Sequence, residues 1–213
     1  MTRLLYMAIT SLDGYVADEA GRYDWAMPDD EVFGFINDFE RPVGTYLYGR
    51  RLYQDMTGWE TMDADPGLSP LMLDFARIWQ AADKVVYSRS LEDVSTARTR
   101  LERDFDPAAV REMKARSERD ITVGGAELAA QAIGTGLVDE IHLIISPVLV
   151  GGGKKALSST VRLQLELQPD RAGQGLLAAS HQHRRDDQVD LVDQARSDRL
   201  GGELGAAHRD IPF

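Results

Sequence analysis

Ile121–Gly153, ITVGGAELAAQAIGTGLVDEIHLIISPVLVGGG, is the stretch whose reading decides the fold. A short β-branched run ends in Gly124-Gly125. An Ala-rich segment follows, closed by Gly134 and Gly136, and then a second apolar run, IHLIIS. That order predicts a β-α-β unit with a glycine turn where the first strand enters its helix. In open α/β sheets a crevice forms at such junctions, and unpaired N–H groups at the helix start favour a phosphate. Gly124 and Gly125 are therefore a candidate seat for a phosphate-bearing cofactor, although Gly-Gly after a strand also serves as a plain tight turn.

Working outward, similar units recur. Arg3–Thr10, RLLYMAIT, is dense enough in apolar residues for a central strand, broken by Ser11-Leu12-Asp13-Gly14. The segment YVADEAGRYDWAMP has no usable period and reads as a long loop, of the kind that often carries function. Pro28 then opens a helix with Asp29, Asp30 and Glu31 in its first turn and Val32, Phe35, Ile36 and Phe39 as its inward stripe. Thr45–Tyr48 is a short strand ended by Gly49, with Arg50 and Arg51 at the mouth of the helix RRLYQDM. Ser69-Pro70 caps another helix, with Leu71, Phe75, Ile78 and Ala82 on its buried face. Lys84–Ser88 is a strand ending in Ser88-Arg89-Ser90, Thr96–Leu101 a short one, and Asp106-Pro107 starts a helix lasting to about Ser117. Gly151-Gly152-Gly153-Lys154-Lys155 reads as a flexible loop able to touch an anionic substrate. Val161–Gln168, VRLQLELQ, alternates as a half-buried antiparallel strand does. The fold expected is a three-layer α/β/α domain over residues 1–168, with a mostly parallel sheet and an antiparallel C-terminal strand. Residues 169–213, rich in Arg, Asp, Ala, Gly and Gln, read as a polar tail, disordered or atypical, with only Gly175–Ser180 able to supply a weak partner strand.

The composition bounds the function. Among 213 residues, 35 acidic and 24 basic side chains give a net charge of -11, which argues against general nucleic-acid binding. There is no cysteine, so thiolate metal sites and disulfides are absent. The four histidines form no HExxH or compact metal cluster, His181-x-His183 being at most an adventitious chelate in a solvated tail, and no nucleophile elbow or Walker sequence is present. The N-terminus meets Asp13 too early for a signal peptide, and no apolar run is long enough for a membrane span, so a cytoplasmic protein without membrane partners is expected.

Three strand ends, Gly49-Arg50-Arg51, Ser88-Arg89-Ser90 and Gly124 to Leu128, are expected on one edge, where helix amides, a hydroxyl and a guanidinium could grip a dinucleotide. An arginine just past a strand end favours a 2′-phosphate, hence NADPH, although taken alone Arg89 reads more readily as a solvated turn residue. The G-x-G-x-x-G fingerprint is missing.

Together MAITSLDGYVA, TYLYGRRLY, SRS after KVVY, ITVGGAEL and LIISPVLVGGGKKAL resemble the dihydrofolate reductase-like reductases, most closely the C-terminal reductase domain of the bacterial riboflavin-biosynthesis deaminase-reductase in stand-alone form. The likeness runs from Arg3 to about Gln168. It implies an eight-stranded, mostly parallel sheet, NADPH as hydride donor and a homodimer. By the same resemblance Gly49, Arg50 and Arg51 face the pyrophosphate, and Ser88 and Arg89 meet the 2′-phosphate. Gly124, Gly125, Ala126 and Leu128 form the second phosphate turn, and Ala8, Ile9, Asp13, Gly14 and Tyr15 line the nicotinamide. The expected substrate is a small heterocycle or ribosylamino-pyrimidine, with dihydrofolate, or nucleotide binding without turnover, as alternatives. Asp13, Asp24 and Asp30 are the unranked candidates for a proton donor. The chain departs from the family in having no deaminase zinc ligands and no aromatic closing strand; its last residues read as a frameshifted end or as a genuine extension.

Overall fold

Alternating strands and helices leave each strand's two faces to be covered by helices, and the computed structural model realises this with one large sheet between two helical layers. It describes residues 2–62, 67–157, 162–163, 165–168 and 177–180. The strands are β1 (Leu4–Ser11), β2 (Tyr15–Ala17), β3 (Val43–Gly49), β4 (Asp83–Tyr87), β5 (Thr99–Glu102), β6 (Asp120–Gly124), β7 (Glu140–Ser146), β8 (Lys154–Lys155), β9 (Glu166–Gln168) and β10 (Leu177–Ser180). The helices are α1 (Asp30–Glu40), α2 (Arg50–Met56), α3 (Pro70–Ala81), α4 (Pro107–Arg116) and α5 (Ala126–Gly134). The large sheet has the order β5-β4-β3-β6-β1-β7-β10-β9; β2 and β8 form a second, two-stranded sheet. From β5 to β7 every pairing is parallel, and β10 is antiparallel to both β7 and β9.

Period-two alternation divides the core. Leu4, Tyr6, Leu47, Val85 and Val123 face α4 and α5, while Tyr46, Tyr48 and Val86 face α1 and α3. On α3 and just after it Phe75 and Ala82 are buried as expected, Ala76 and Trp79 join them, and Leu71 and Ile78 are only half buried. On α1 Ile36 is buried as expected, joined by Asn37 and Glu40, while Val32, Phe35 and Phe39 of the expected stripe are half buried. Asn37 is buried because its amide nitrogen bonds Leu71 O at 2.9 Å and Asp74 Oδ2 at 3.0 Å, joining α1 to α3. Asp29, expected within α1, is its N-cap and accepts from Val32 N. Ser69 and Asp106 cap α3 and α4 as their Ser-Pro and Asp-Pro pairs predict.

Of the antiparallel strand expected over Val161–Gln168, the described residues show Glu166–Gln168 as β9, with Gln168 against Ala178, Leu167 against Ala179 and Glu166 against Ser180. Leu163 and Leu165 still rest against the core. The boundary expected after Gln168 thus falls between two strands that pair, and the expected weak partner, Gly175–Ser180, supplies β10 at Leu177–Ser180. Residues 181–213, and with them most of the expected tail, lie outside the described residues.

Candidate functional site

Six parallel strands share one carboxyl edge, and register decides its shape. Tyr48 sits level with Gly124 and Gly49 with Tyr87, so β3, β4 and β6 stop together. Pairing of β1 with β6 ends at Tyr6 and Val123, whereas β1 and β7 stay paired to Ser11 and Ser146. Ala8 to Ser11 therefore overshoot the end of β6 by four residues, roughly 13 Å of strand at about 3.3 Å each. The result is a step: the turns of β3 and β6 form its floor, and the β6-facing side of Ala8 and Ile9, both half buried, forms its wall.

Gly125 makes the floor. Its φ of 92° is costly for an L side chain, and a Cβ there would stand 3.8 Å from Gly49 N and 3.8 Å from Leu52 Cβ, inside the gap between the two turns. Behind it α5 starts without a side-chain cap, and the first intrahelical bond is Ala129 N to Gly125 O at 2.9 Å. The N–H groups of Ala126, Glu127 and Leu128 have no intrahelical acceptor, as at any helix start, which suits an anion. Ala126 and Leu128 bury their side chains, at 9% and 4% exposure, so only their backbones can serve a ligand. Arg50 is half buried with Nη1 on Gln54 Oε1 at 3.3 Å, and Arg51 is exposed.

The other expected residues are differently engaged. Ser88 is buried, and its Oγ accepts from Leu91 N at 2.9 Å and Ser90 N at 3.3 Å, so the hydroxyl is occupied with its own turn. Arg103 braces that turn from below through Ser88 O and Leu91 O. Arg89 is exposed and holds Asp104 at the end of β5 through Nε, at 2.7 Å, and Nη2.

Asp13 lies in the turn between β1 and β2. Its carboxylate accepts from Ser11 Oγ at 2.6 Å, Val150 N at 3.1 Å and Gly151 N at 2.7 Å, and these bonds, Ser11 first, lower its pKa to about 2. Those bonds hold the carboxylate in its ionised form and tie both of its oxygens to the two loops. Asp24 lies in a 3-10 turn at Asp24–Ala26, and Asp30 is the first residue of α1; both are exposed. Because α1 runs back between two parallel strands, its first turn lies at the same carboxyl edge as the step. Gly14 and Tyr15 lie in the loop leaving β1, Gly14 with φ of 84° and Tyr15 half buried in β2.

The sequence placed Lys154 in a loop able to touch an anionic substrate; in the structure its Nζ meets Glu127 Oε1 at 2.8 Å in the first turn of α5. The adjacency of GGGKK to a strand end was a visible signal; its direction toward α5 was not. Of the large apolar side chains exposed among the described residues, Leu12 follows β1 and Leu149 follows β7, while Tyr23 and Met27 flank the 3-10 turn between β2 and α1. A groove of about 600 Å³ opens elsewhere, along β4, β5 and α4 between Tyr87, Arg100, Glu112 and Met113. It includes none of the step residues and is lined by charges of both signs. Among the described residues no three His, Asp or Glu side chains cluster as a metal would need, and no helix is long and apolar enough to cross a membrane.

The profile of the RibD C-terminal domain matches residues 3–173. An uncharacterised protein of Bacillus subtilis, YyaP, is 31% identical over 152 residues, covering 71% of this chain and 77% of its own. A riboflavin biosynthesis protein from Shewanella superposes with a TM-score of 0.62 at 20% identity, over 86% of this chain and all of the other. The deaminase/5-amino-6-(5-phosphoribosylamino)uracil reductase of Thermotoga maritima gives 0.57 at 13% identity, over 85% of this chain and 57% of that one. A pyrimidine reductase-like protein of Corynebacterium diphtheriae gives 0.51 at 18%. The parallel sheet, the match along four fifths of the sequence and the relative at 31% identity agree: this chain belongs to the RibD C-terminal domain family.

Proposed function

We propose that the chain is an NADPH-dependent reductase acting on a small heterocycle or ribosylamino-pyrimidine, with the step between β6 and β1 as its active site. The observation that carries the reading is the register offset: Ala8 and Ile9 run on where β6 has stopped, above a Gly125 turn open toward Gly49. The fit to a dinucleotide is good at the diphosphate, where a Cβ on Gly125 would fill the gap and the α5 amides lie beside it. At the 2′-phosphate the fit requires Arg89 to leave Asp104, which an exposed pair allows. Ser88 stays within its turn and shapes it, with no direct contact required.

When bound, the cofactor supplies the hydride. The chain's part is alignment: the wall at Ala8 and Ile9 orients a flat ring, the floor fixes its phosphates, and the loops around Leu12 and Leu149 exclude water. Asp24 and Asp30 are the carboxyls left to deliver a proton. A homodimer, a cytoplasmic setting and the absence of nucleic-acid and membrane partners belong to the same proposal.

Oxidation of NADPH followed by absorbance, with the pyrimidine ribosylamine and with dihydrofolate as separate substrates, tests it. Turnover of the ribosylamine, with kcat reduced at least tenfold in Asp24→Asn or Asp30→Asn, is the expected result. Turnover of dihydrofolate alone would reassign the substrate, and no oxidation with either would leave a nucleotide-binding protein.

A further inference from the structure

The glycine-rich loop after β7 is fastened, and the residues that fasten it form a set. Leu12 N donates to Val148 O and Ala156 N to Gly14 O, each at 2.9 Å. β2 pairs with β8, Tyr15 opposite Lys155 and Ala17 opposite Lys154. Gly153, with φ of 126°, lies so close to β2 that a Cβ would come within 2.2 Å of Ala17 O. That glycine serves close approach of two backbones, correcting the expectation of a flexible loop. Between the two ladders sits Asp13, with one carboxylate oxygen on Val150 N and Ser11 Oγ and the other on Gly151 N. At the far side Lys154 reaches Glu127 on α5.

We propose that Asp13 is a positioning residue: it clasps Val150 and Gly151 to the first loop, so that residues 11–17 and 147–156 form one flap, which Lys154 latches to α5 beside the diphosphate turn. The latch rests on the reading of that turn as the cofactor's phosphate site; the clasp does not. A carboxylate is required because both oxygens must accept. A carboxamide has one accepting oxygen and would turn an NH2 toward an amide N–H. Lys154 has a second effect, since Glu127 places a negative charge next to amides that are to hold phosphate, and its ammonium neutralises that charge. Ligand entry and flap position are thereby coupled through one ion pair.

Hydrogen exchange of the full-length chain, read by mass spectrometry with and without NADPH, tests this in Asp13→Asn and Lys154→Gln, alongside NADPH dissociation rates. In the absence of cofactor, Asp13→Asn is expected to speed exchange in residues 147–156 at least tenfold while peptides from β6 and α5 keep their protection. With cofactor, both variants are expected to release NADPH at least fivefold faster than the parent. Unchanged exchange at 147–156 in Asp13→Asn overturns the clasp, and an unchanged dissociation rate in Lys154→Gln overturns the latch. A parent chain that binds no NADPH refutes the site reading and the latch with it, while the exchange measurement still decides the clasp. Should Asp13→Asn fail to fold, Asp13→Glu serves: slower exchange than Asp13→Asn requires but faster than the parent is expected, and parent-like exchange overturns the clasp.

Discussion

Arg89 and Asp104 meet at the ends of β4 and β5 with side chains 82% and 64% exposed. Such a pair contributes about 0–1 kcal/mol, so a phosphate can take the guanidinium at little cost, and Asp104 competes with it. Replacing Asp104 by Asn is expected to tighten NADPH several-fold without changing NADH; Arg89→Ala should weaken NADPH about tenfold, or ~1.4 kcal/mol, again sparing NADH. Calorimetric titration of both nucleotides reads this out, and equal effects on the two would place Arg89 outside the 2′-phosphate site. Arg89 was visible in the sequence as an arginine past a strand end. Asp104 was not, because only the register of β5 on β4 brings residues fifteen apart together. Asp13 was legible as a carboxylate in a loop, but its amide partners come from residues more than a hundred positions away.

At the scale of elements, α1 lays Glu40 against Tyr46 and Tyr48 of β3, where burial, outweighing the help of Tyr46, raises its pKa to about 8. The unfolded chain releases that proton near pH 4.5, so the folded state holds an extra proton from there to about pH 8, and stability falls as pH rises through that window. A buried carboxyl with one oxygen lacking a partner costs on the order of a few kcal/mol when it must ionise. Glu40→Gln is therefore expected to melt higher than the parent at pH 8, with the difference vanishing near pH 4; a pH-independent difference would mean that Glu40 ionises freely. Helix starts were readable from local chemistry, Ser69-Pro70 and Asp106-Pro107 above all. The buried face of α1 was not, because Asn37 and Glu40 read as polar and are inside only by virtue of α3 and β3.

For the whole molecule, the alternation of strand and helix was enough to place three glycine or serine turns on one edge, since the strands of a parallel sheet all point their carboxyl ends the same way. The offset of β1 against β6 was beyond the sequence, as register follows from how the apolar faces settle on both helical layers. With a net charge of -11, the chain offers a dinucleotide no general attraction, so binding must come from the local step. The most direct measurement is fluorescence titration with NADPH of the parent chain and of Gly125→Val, whose side chain would fill the gap beside Gly49. Saturable binding with Kd below about 100 μM, lost in the variant while its far-ultraviolet circular dichroism is unchanged, is the expected result, in the range typical of enzyme substrates. Absence of saturation up to about 1 mM, or equal binding by a folded Gly125→Val, would contradict the assignment of the step as a dinucleotide site.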